Sequence, residues 1–233
     1  MIGSGPSGID LANAISKTAK NVTWSHHLKA APRIVFSDNV DQKPDVSYLT
    51  ENGAIFTDGS FKNYSIVFYC TGYKYKFPFL SIDCNINCDE NYVFPLYKHC
   101  LNINRPTMGF IGLCLKVVPN QMFDLQVRFC LKFMSKLKEL PNKVEMEEDT
   151  TWEMHERWSR GITKRIAHVM GTNIQDKYYA ELSEIAEIDP IKPVIIMLYN
   201  QSRSNQGNDG NNYRKVTFRI VDDKTFTSSM LTH

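Results

Sequence analysis

The feature that most constrains this chain is the run Gly3-Ser4-Gly5-Pro6-Ser7-Gly8, a G-x-G-x-x-G spacing followed at once by a helical apolar pattern. Each glycine answers a separate steric demand. The first makes a tight turn out of a strand, the second lets backbone approach a pyrophosphate, and the third lets a helix pack close to a sheet. The helix N-terminus then turns unpaired N–H groups and a positive dipole end toward the anion. The spacing alone also fits an unrelated glycine-rich turn, so context decides. One part of that context is short: a buried strand should precede the loop, and only Met1 and Ile2 do so. The chain reads as starting inside a central parallel strand, as a fragment would.

Downstream, Ile9, Ala12, Ile15 and Ala19 recur at helical spacing with Leu11 beside them, and Lys17 and Lys20 fall outside. Asn21 to His27 reads as a short strand of β-branched and aromatic residues. Glycine loop, helix and strand thus have the order of a βαβ unit. An NAD site places Asp or Glu at the end of that second strand, about 20 residues past the glycines. Here stand Ser25, His26 and His27, with Lys29 and Arg33 close behind. Hydroxyl, imidazole and ammonium groups donate to a 2′-phosphate that a carboxylate repels, so NADP(H) is expected. The paired histidines equally suit a solvated loop.

Residues 34–48 read as loop, with Ile34-Val35-Phe36 and Val46 to Leu49 as short strands. Turn signals on both sides of Ala54-Ile55-Phe56 predict a hairpin or small meander. Ser65 to Cys70 is a continuous apolar run, predicted as a strand buried on both faces. It ends at Thr71-Gly72-Tyr73, where glycine lets backbone approach a ligand beyond the strand's C-terminal end.

A net charge of +2 gives no field for nucleic acid. The six cysteines contain no C-x-x-C pair and read as buried free thiols of a reducing compartment. No signal peptide opens the chain, and the longest apolar run, Val194 to Tyr199, is too short for a membrane span. His155 and His168 lack partners at metal spacing, so no metal site is expected.

Taken together, Gly3 to Asp10, Ser25-His26-His27, Tyr69-Cys70-Thr71-Gly72-Tyr73 and Phe77-Pro78-Phe79-Leu80 resemble the flavin-containing monooxygenase family, insect-type and dimethylaniline monooxygenase-like. Phe94 to His99, Gly109 to Leu113 and Leu125 to Arg128 extend the likeness over the whole chain. The resemblance implies an α/β fold. Residues 1–73 would form a Rossmann-like NADPH domain with its first strand clipped. Residues 74–233 would form the C-terminal portion of an FAD domain, with added helices and a tail. Family members also carry a separate FAD-binding glycine loop and an active-site asparagine in their N-terminal half, and neither is present here. Cys70 stands where the family usually has Ala, and Ser65 where an acidic residue is common.

The resemblance further implies an NADPH- and FAD-dependent monooxygenase. It would oxygenate soft nitrogen or sulfur nucleophiles with O2 through a flavin C4a-hydroperoxide. The NADP(H) contacts it implies are Gly3, Ser4, Gly5, Pro6, Ser7, Gly8, Ser25, His26, His27, Thr71, Gly72 and Tyr73. Asn120 and Gln121 fall by the flavin, with Gln126 a weaker candidate; the same residues also suit a solvent-facing cap. No residue stands out as acid, base or nucleophile. The alternative is a catalytically incomplete NADP-binding module or truncated product. A thioredoxin-reductase-like reading would need a redox C-x-x-C, which is missing. Cytosol, or else the endoplasmic reticulum surface, is the expected location, and a homo-oligomer stays open.

Along the remainder, Gly109 to Leu113 reads as a buried strand. Asn120 to Leu140 reads as a largely buried helix with Phe123, Val127, Leu131 and Met134 on one side, widened by Met122, Leu125, Phe129 and Phe133. Lys143 to Asp149 reads as an acidic linker, and Thr151 to Val169 as a helix with a Met154, Trp158, Ile162, Ile166 stripe. A short helix around Tyr178, Leu182 and Ile185 follows, then a polar loop from Ser202 to Asn212. A strand within Tyr213 to Val221 and a frayed tail close the chain.

Overall fold

The computed structural model describes residues 1–28, 34–172, 174–208 and 212–231. The chain divides into two compact units: Met1–Tyr73 with Asn205–Arg214, and Lys74–Ser204 with Lys215–His233.

Parallel backbone organises the first unit. β1 (Val22–Ser25) pairs in parallel with β2 (Val40–Lys43). Ile2 bridges in parallel to Ser25 on one side and Tyr69 on the other. The spatial order is therefore β2, β1, the Met1 stretch, then the Tyr69 stretch. Its ladder includes Gly3 N–H to the Ser25 carbonyl at 3.0 Å and Cys70 N–H to the Ile2 carbonyl at 2.7 Å. All four β1 residues are buried. α1 (Pro6–Ile15) opens with Pro6, whose missing N–H is an orphan at a helix start anyway. α1 stops short of Ala19, where the Asn39 side-chain amide donates to the Ser16 and Ala19 carbonyls at 2.8 and 2.9 Å. Arg214 forms a two-pronged ion pair with Asp10 of α1, at 2.5 and 2.9 Å. The predicted meander is present as β3 (Val46–Leu49), β4 (Gly53–Phe56) and β5 (Phe61–Asn63), antiparallel in that order.

Two expectations for this unit fail. Ile34 to Phe36 lies outside any strand, and the strand forms instead at Val40–Lys43. That segment has one apolar residue, but Asp41 accepts from Thr23 of β1 at 2.7 Å, a cross-strand contact that apolar patterning does not encode. Ser65 to Cys70 is not a strand buried on both faces. It pairs through a single bridge, and Ile66, Phe68 and Tyr69 are exposed. An apolar run states what a segment prefers, while coverage depends on what packs there.

The second unit combines short antiparallel pairs with helices. β6 (Asn87–Asp89) pairs with β7 (Tyr92–Phe94), and β8 (Leu96–Tyr97) with β9 (Leu101–Asn102). Its helices are α2 (Pro119–Met134), α3 (Lys143–Ser159), α4 (Gln175–Ala186) and, up to Ser204, α5 (Pro193–Asn208). Met122, Leu125 and Phe129 of α2 share one core with Tyr178, Tyr179 and Leu182 of α4. A smaller cluster gathers Val93, Leu96, Phe110 and Leu113.

Here too the structure corrects several expectations. Gly109 to Leu113 is no strand: Gly109 makes one bridge to Leu101, and Ile111 is exposed. α2 buries Met122, Leu125, Gln126, Phe129, Cys130 and Phe133, while Phe123, Val127 and Leu131 are exposed. Apolar residues occupy both sides of this helix, so periodicity cannot choose the face that α4 covers. The supposed acidic linker is the first half of α3, started by a capping box. The Asn142 side chain accepts from Glu145 N–H at 3.1 Å, and the Glu145 carboxylate accepts from Asn142 N–H at 2.8 Å. α3 ends at Ser159, and Gly161 follows at φ +78°. The predicted helix to Val169 is thus broken, and Ile166 is exposed.

α5 continues through residues read as a polar loop; positions 209–211 lie outside the described residues. The tail is a hairpin of β10 (Val216–Ile220) and β11 (Phe226–Met230), not a frayed end. Asp223 in its turn accepts from Val194 N–H at 2.9 Å and pairs with Lys192 at 2.8 Å. All six cysteines are free, but only Cys100, Cys114 and Cys130 are buried; Cys70 and Cys84 are half-buried and Cys88 is exposed. Among the described residues, no helix is long and apolar enough to cross a membrane.

Candidate functional site

The three glycines of the loop are glycine for different reasons. Gly3 lies at φ +120°, and a Cβ there would fall 2.3 Å from the Cys70 carbonyl oxygen. A Cβ on Gly8 would fall 2.2 Å from the Gly3 carbonyl oxygen. A Cβ on Gly5 would meet nothing within 4 Å. Backbone packing thus excludes side chains at Gly3 and Gly8, whereas Gly5 borders open space. The buried Trp24 fixes the loop by donating from Nε1 to the Gly3 carbonyl at 2.8 Å. The N-cap Gly5 offers no side-chain cap, and the first turn of α1 holds no acidic residue. Pro6 and Ser7 are exposed there, so the turn presents open backbone donors and the positive end of the dipole.

The other candidates spread around this loop. Ser25 is buried, and its hydroxyl donates to the Pro44 carbonyl at 2.7 Å, so that group serves the fold. His26 accepts on Nδ1 from Leu28 N–H at 3.2 Å, which leaves its proton on Nε2, 2.9 Å from Gln42 Oε1. His27 is exposed, with Nδ1 3.5 Å from Asp45. Thr71, Gly72 and Tyr73 are exposed and directly follow Cys70, whose carbonyl packs on Gly3. Lys29 and Arg33 lie outside the described residues.

In the second unit, Asn120 and Gln121 are exposed on the first turn of α2. That turn also lacks a side-chain cap and an acidic residue. Gln126 is fully buried; its Oε1 accepts from Gly112 N–H at 3.0 Å and its Nε2 donates to the Tyr178 hydroxyl at 2.6 Å. It has no surface to offer a ligand.

A buried charged network in this unit escaped the sequence reading. Lys98 and His99 form a turn between β8 and β9 at φ +48° and +57°. Val93 N–H donates to His168 Nε2 at 3.0 Å, so His168 carries its proton on Nδ1 and donates to His99 Nδ1 at 2.8 Å. That leaves the His99 proton on Nε2, 2.8 Å from Glu153. Arg157 closes the chain on Glu153 at 3.1 Å and on the Val169 carbonyl at 3.0 Å. Burial, reinforced by the Arg157 charge, pushes His168 down to about 2. Burial opposes ionisation of Glu153, but His99 and Arg157 outweigh it and hold the carboxyl well below the usual range. Lys98 sits 2.9 Å from Asp149 and 3.3 Å from Glu181, which keep it charged against its burial. Only the Glu153/Arg157 i,i+4 spacing was visible locally. Among the described residues, no group of three or more His, Cys, Asp or Glu side chains is arranged to hold a metal ion.

Comparison with known proteins gives this architecture its class. The solved S-allyl-L-cysteine S-oxygenase from Allium sativum superposes with a TM-score of 0.80 at 28% identity, over 91% of this chain and 49% of that one. Tmm from Pelagibacter sp. strain HTCC7211 also superposes with a TM-score of 0.80, at 22% identity, over 100% of this chain and 52% of that one. The fold is the α/β fold of flavin monooxygenases. The family model described as flavin-binding monooxygenase-like matches residues 27–204, and this chain belongs to that family. Senecionine N-oxygenase of Tyria jacobaeae is 34% identical over 97% of this chain and 50% of its own length. Flavin-containing monooxygenase FMO GS-OX-like 2 of Arabidopsis thaliana is 33% identical over 76% of this chain and 39% of its own length. The chain spans about half or less of these relatives. Members of the family use FAD and NADPH.

Proposed function

We propose that this chain forms the NADPH-binding domain (residues 1–73) and the C-terminal part of the FAD domain (residues 74–233) of a flavin monooxygenase. Its substrates would be soft nitrogen or sulfur nucleophiles. The observation that carries the reading is the contrast among the loop glycines. Backbone fills the space at Gly3 and Gly8, and only Gly5 opens outward beside an uncapped helix start. That is the steric pattern a pyrophosphate cradle needs.

In a Rossmann-like site of this kind, Gly3 to Gly8 would hold the pyrophosphate, and His26 and His27 would bind the 2′-phosphate. Ser25 fixes the strand end through Pro44, and Thr71 to Tyr73 border the loop. On the flavin side, the exposed donors of Asn120 and Gln121 at an uncapped, acid-free turn suit an electron-rich ring. When bound, NADPH would supply hydride and FAD would use it to activate O2, one oxygen atom going to the substrate and the other leaving as water. The chain's own residues bind, orient and exclude water. Relatives named as an N-oxygenase and an S-oxygenase support this substrate class.

The second reading is an NADP-binding module without oxygenase activity, for which the open Gly5 face and uncapped start of α1 suffice without a flavin. Titration with NADPH and NADH, followed by flavin absorbance after gel filtration, separates the two. Wild type is expected to prefer NADPH. Gly5→Asp should weaken it at least about tenfold through like-charge repulsion while leaving the melting temperature unchanged. Unaltered NADPH affinity in that variant rejects the loop as the site. Flavin bands that co-elute and bleach with NADPH support the monooxygenase; a colourless protein that still binds NADPH supports the module.

A further inference from the structure

The stretch from Gly112 to Val118, which leads into α2, is fastened by side chains from three other places in the second unit, two of them buried (Gln126 and Tyr179) and one half-buried (Tyr75). The Tyr75 hydroxyl donates to the Leu113 carbonyl at 2.9 Å. Gln126 accepts from Gly112 N–H at 3.0 Å, and the Tyr179 hydroxyl accepts from Val118 N–H at 3.2 Å. Two of the clamps, Gln126 and Tyr179, are themselves held. Tyr178 takes the Gln126 amide at 2.6 Å and donates to the Lys98 carbonyl at 2.9 Å, and Tyr179 donates to the fully buried Gln175 at 3.2 Å. Between these points, Leu115 N–H bonds the His168 carbonyl at 3.1 Å and Met170 N–H bonds the Leu115 carbonyl at 2.9 Å. Gly112 sits at φ +90°, where a Cβ would press to 3.0 Å on the Phe123 ring.

A connecting loop usually needs no such support, and buried polar groups are costly unless every partner is met. Here the clamping atoms of Tyr75, Gln126 and Tyr179 are met, while Gln175 Nε2 behind Tyr179 has no hydrogen-bond partner among the described residues. The loop that the three clamps stiffen ends at the exposed donors of Asn120 and Gln121. We propose that Tyr75, Gln126 and Tyr179 are positioning residues: they hold residues 112–118 rigid so that the first turn of α2 meets the flavin preformed. This rests on the flavin reading above. It reassigns Gln126 from a flavin contact to a support that never touches the ligand. Support of this kind removes ordering that binding would otherwise have to impose.

Tyr179→Phe tests the inference, because it keeps the ring and removes the acceptor of the Val118 amide. Ser183→Ala is the control on the same helix; it loses a buried bond of 2.9 Å to the Tyr179 carbonyl and leaves the loop alone. Hydrogen exchange on the protein without flavin should show the hydrogen-bonded amides of Leu115, Val118 and Met122 opening about tenfold faster in Tyr179→Phe, with Phe129 to Phe133 unchanged. FAD affinity should fall about tenfold, and the flavin absorption maximum should move, in Tyr179→Phe but not in Ser183→Ala. Equal effects of the two variants, or exchange and affinity at wild-type values in Tyr179→Phe, overturn the proposal. A wild-type chain that takes up no FAD overturns the flavin reading, while the exchange result still decides whether the clamp exists.

Discussion

The two units build their polar sites from opposite materials. In the first, the loop is almost all backbone: its geometry comes from carbonyls packed where glycines leave room, and the Trp24 side chain anchors it. In the second, the polar core is side chain against side chain, with Glu153, His99, His168 and Arg157 in one relay and Lys98 between two carboxylates. Where carbonyls fill the space, at Gly3 and Gly8, the backbone site tolerates no added atoms. A side-chain network tolerates no missing partner. The difference teaches where each region breaks: at a single methyl group in one, and at a single lost charge in the other.

The largest effect is expected from Gly3→Ala. The new Cβ would meet the Cys70 carbonyl at 2.3 Å with φ at +120°, so the cost should exceed about 4 kcal/mol and abolish NADPH binding. Limited proteolysis with mass spectrometry should find new cuts within residues 1–73 while 74–204 stays protected. Equal loss of protection in both units would erase the contrast drawn above.

Glu153→Ala breaks the network side. It strands the Arg157 and His99 donors in a buried setting, at a cost of about 3 kcal/mol by urea unfolding. NADPH affinity should not change. A loss below about 1 kcal/mol would mean that solvent already screens the cluster.

His168→Gln sharpens the comparison through pH. His168 titrates at about 2 in the fold against an ordinary 6.5, so below pH 6.5 the unfolded chain takes up a proton that the folded chain refuses. Its contribution is complete above pH 6.5 and is lost progressively as pH falls toward 2. Between pH 7 and pH 4.5 wild type should lose about 2–3 kcal/mol from this group alone. The glutamine side chain in the variant does not titrate, so the gap between wild type and variant should narrow by that amount in paired urea curves. Parallel pH profiles would show that His168 is not held neutral.

The glycine spacing was legible because the pattern itself lies within eight residues, although the carbonyl that excludes a side chain at Gly3 comes from distant Cys70. The Ala54 meander was legible for a similar reason: its turn residues sit beside its strands. α3 also carried a local signal, the Asn142/Glu145 capping box, which the acidic composition of its first turns concealed. Ser25 shows the limit from the other direction. A hydroxyl at a strand end suits a 2′-phosphate on paper, but in the fold it is spent on Pro44.

By itself, the sequence determined the glycine loop, the helix that follows it and the parallel strand beyond. These depend on steric rules among near neighbours, which a single chain states directly. Tertiary structure alone decided which face of α2 is buried, how exposed the Ser65 to Cys70 run is, and that His99 and His168 meet. Those outcomes turn on partners far away in the chain, 69 positions for the two histidines. Burial is a property of what packs against a segment, and no local pattern contains it.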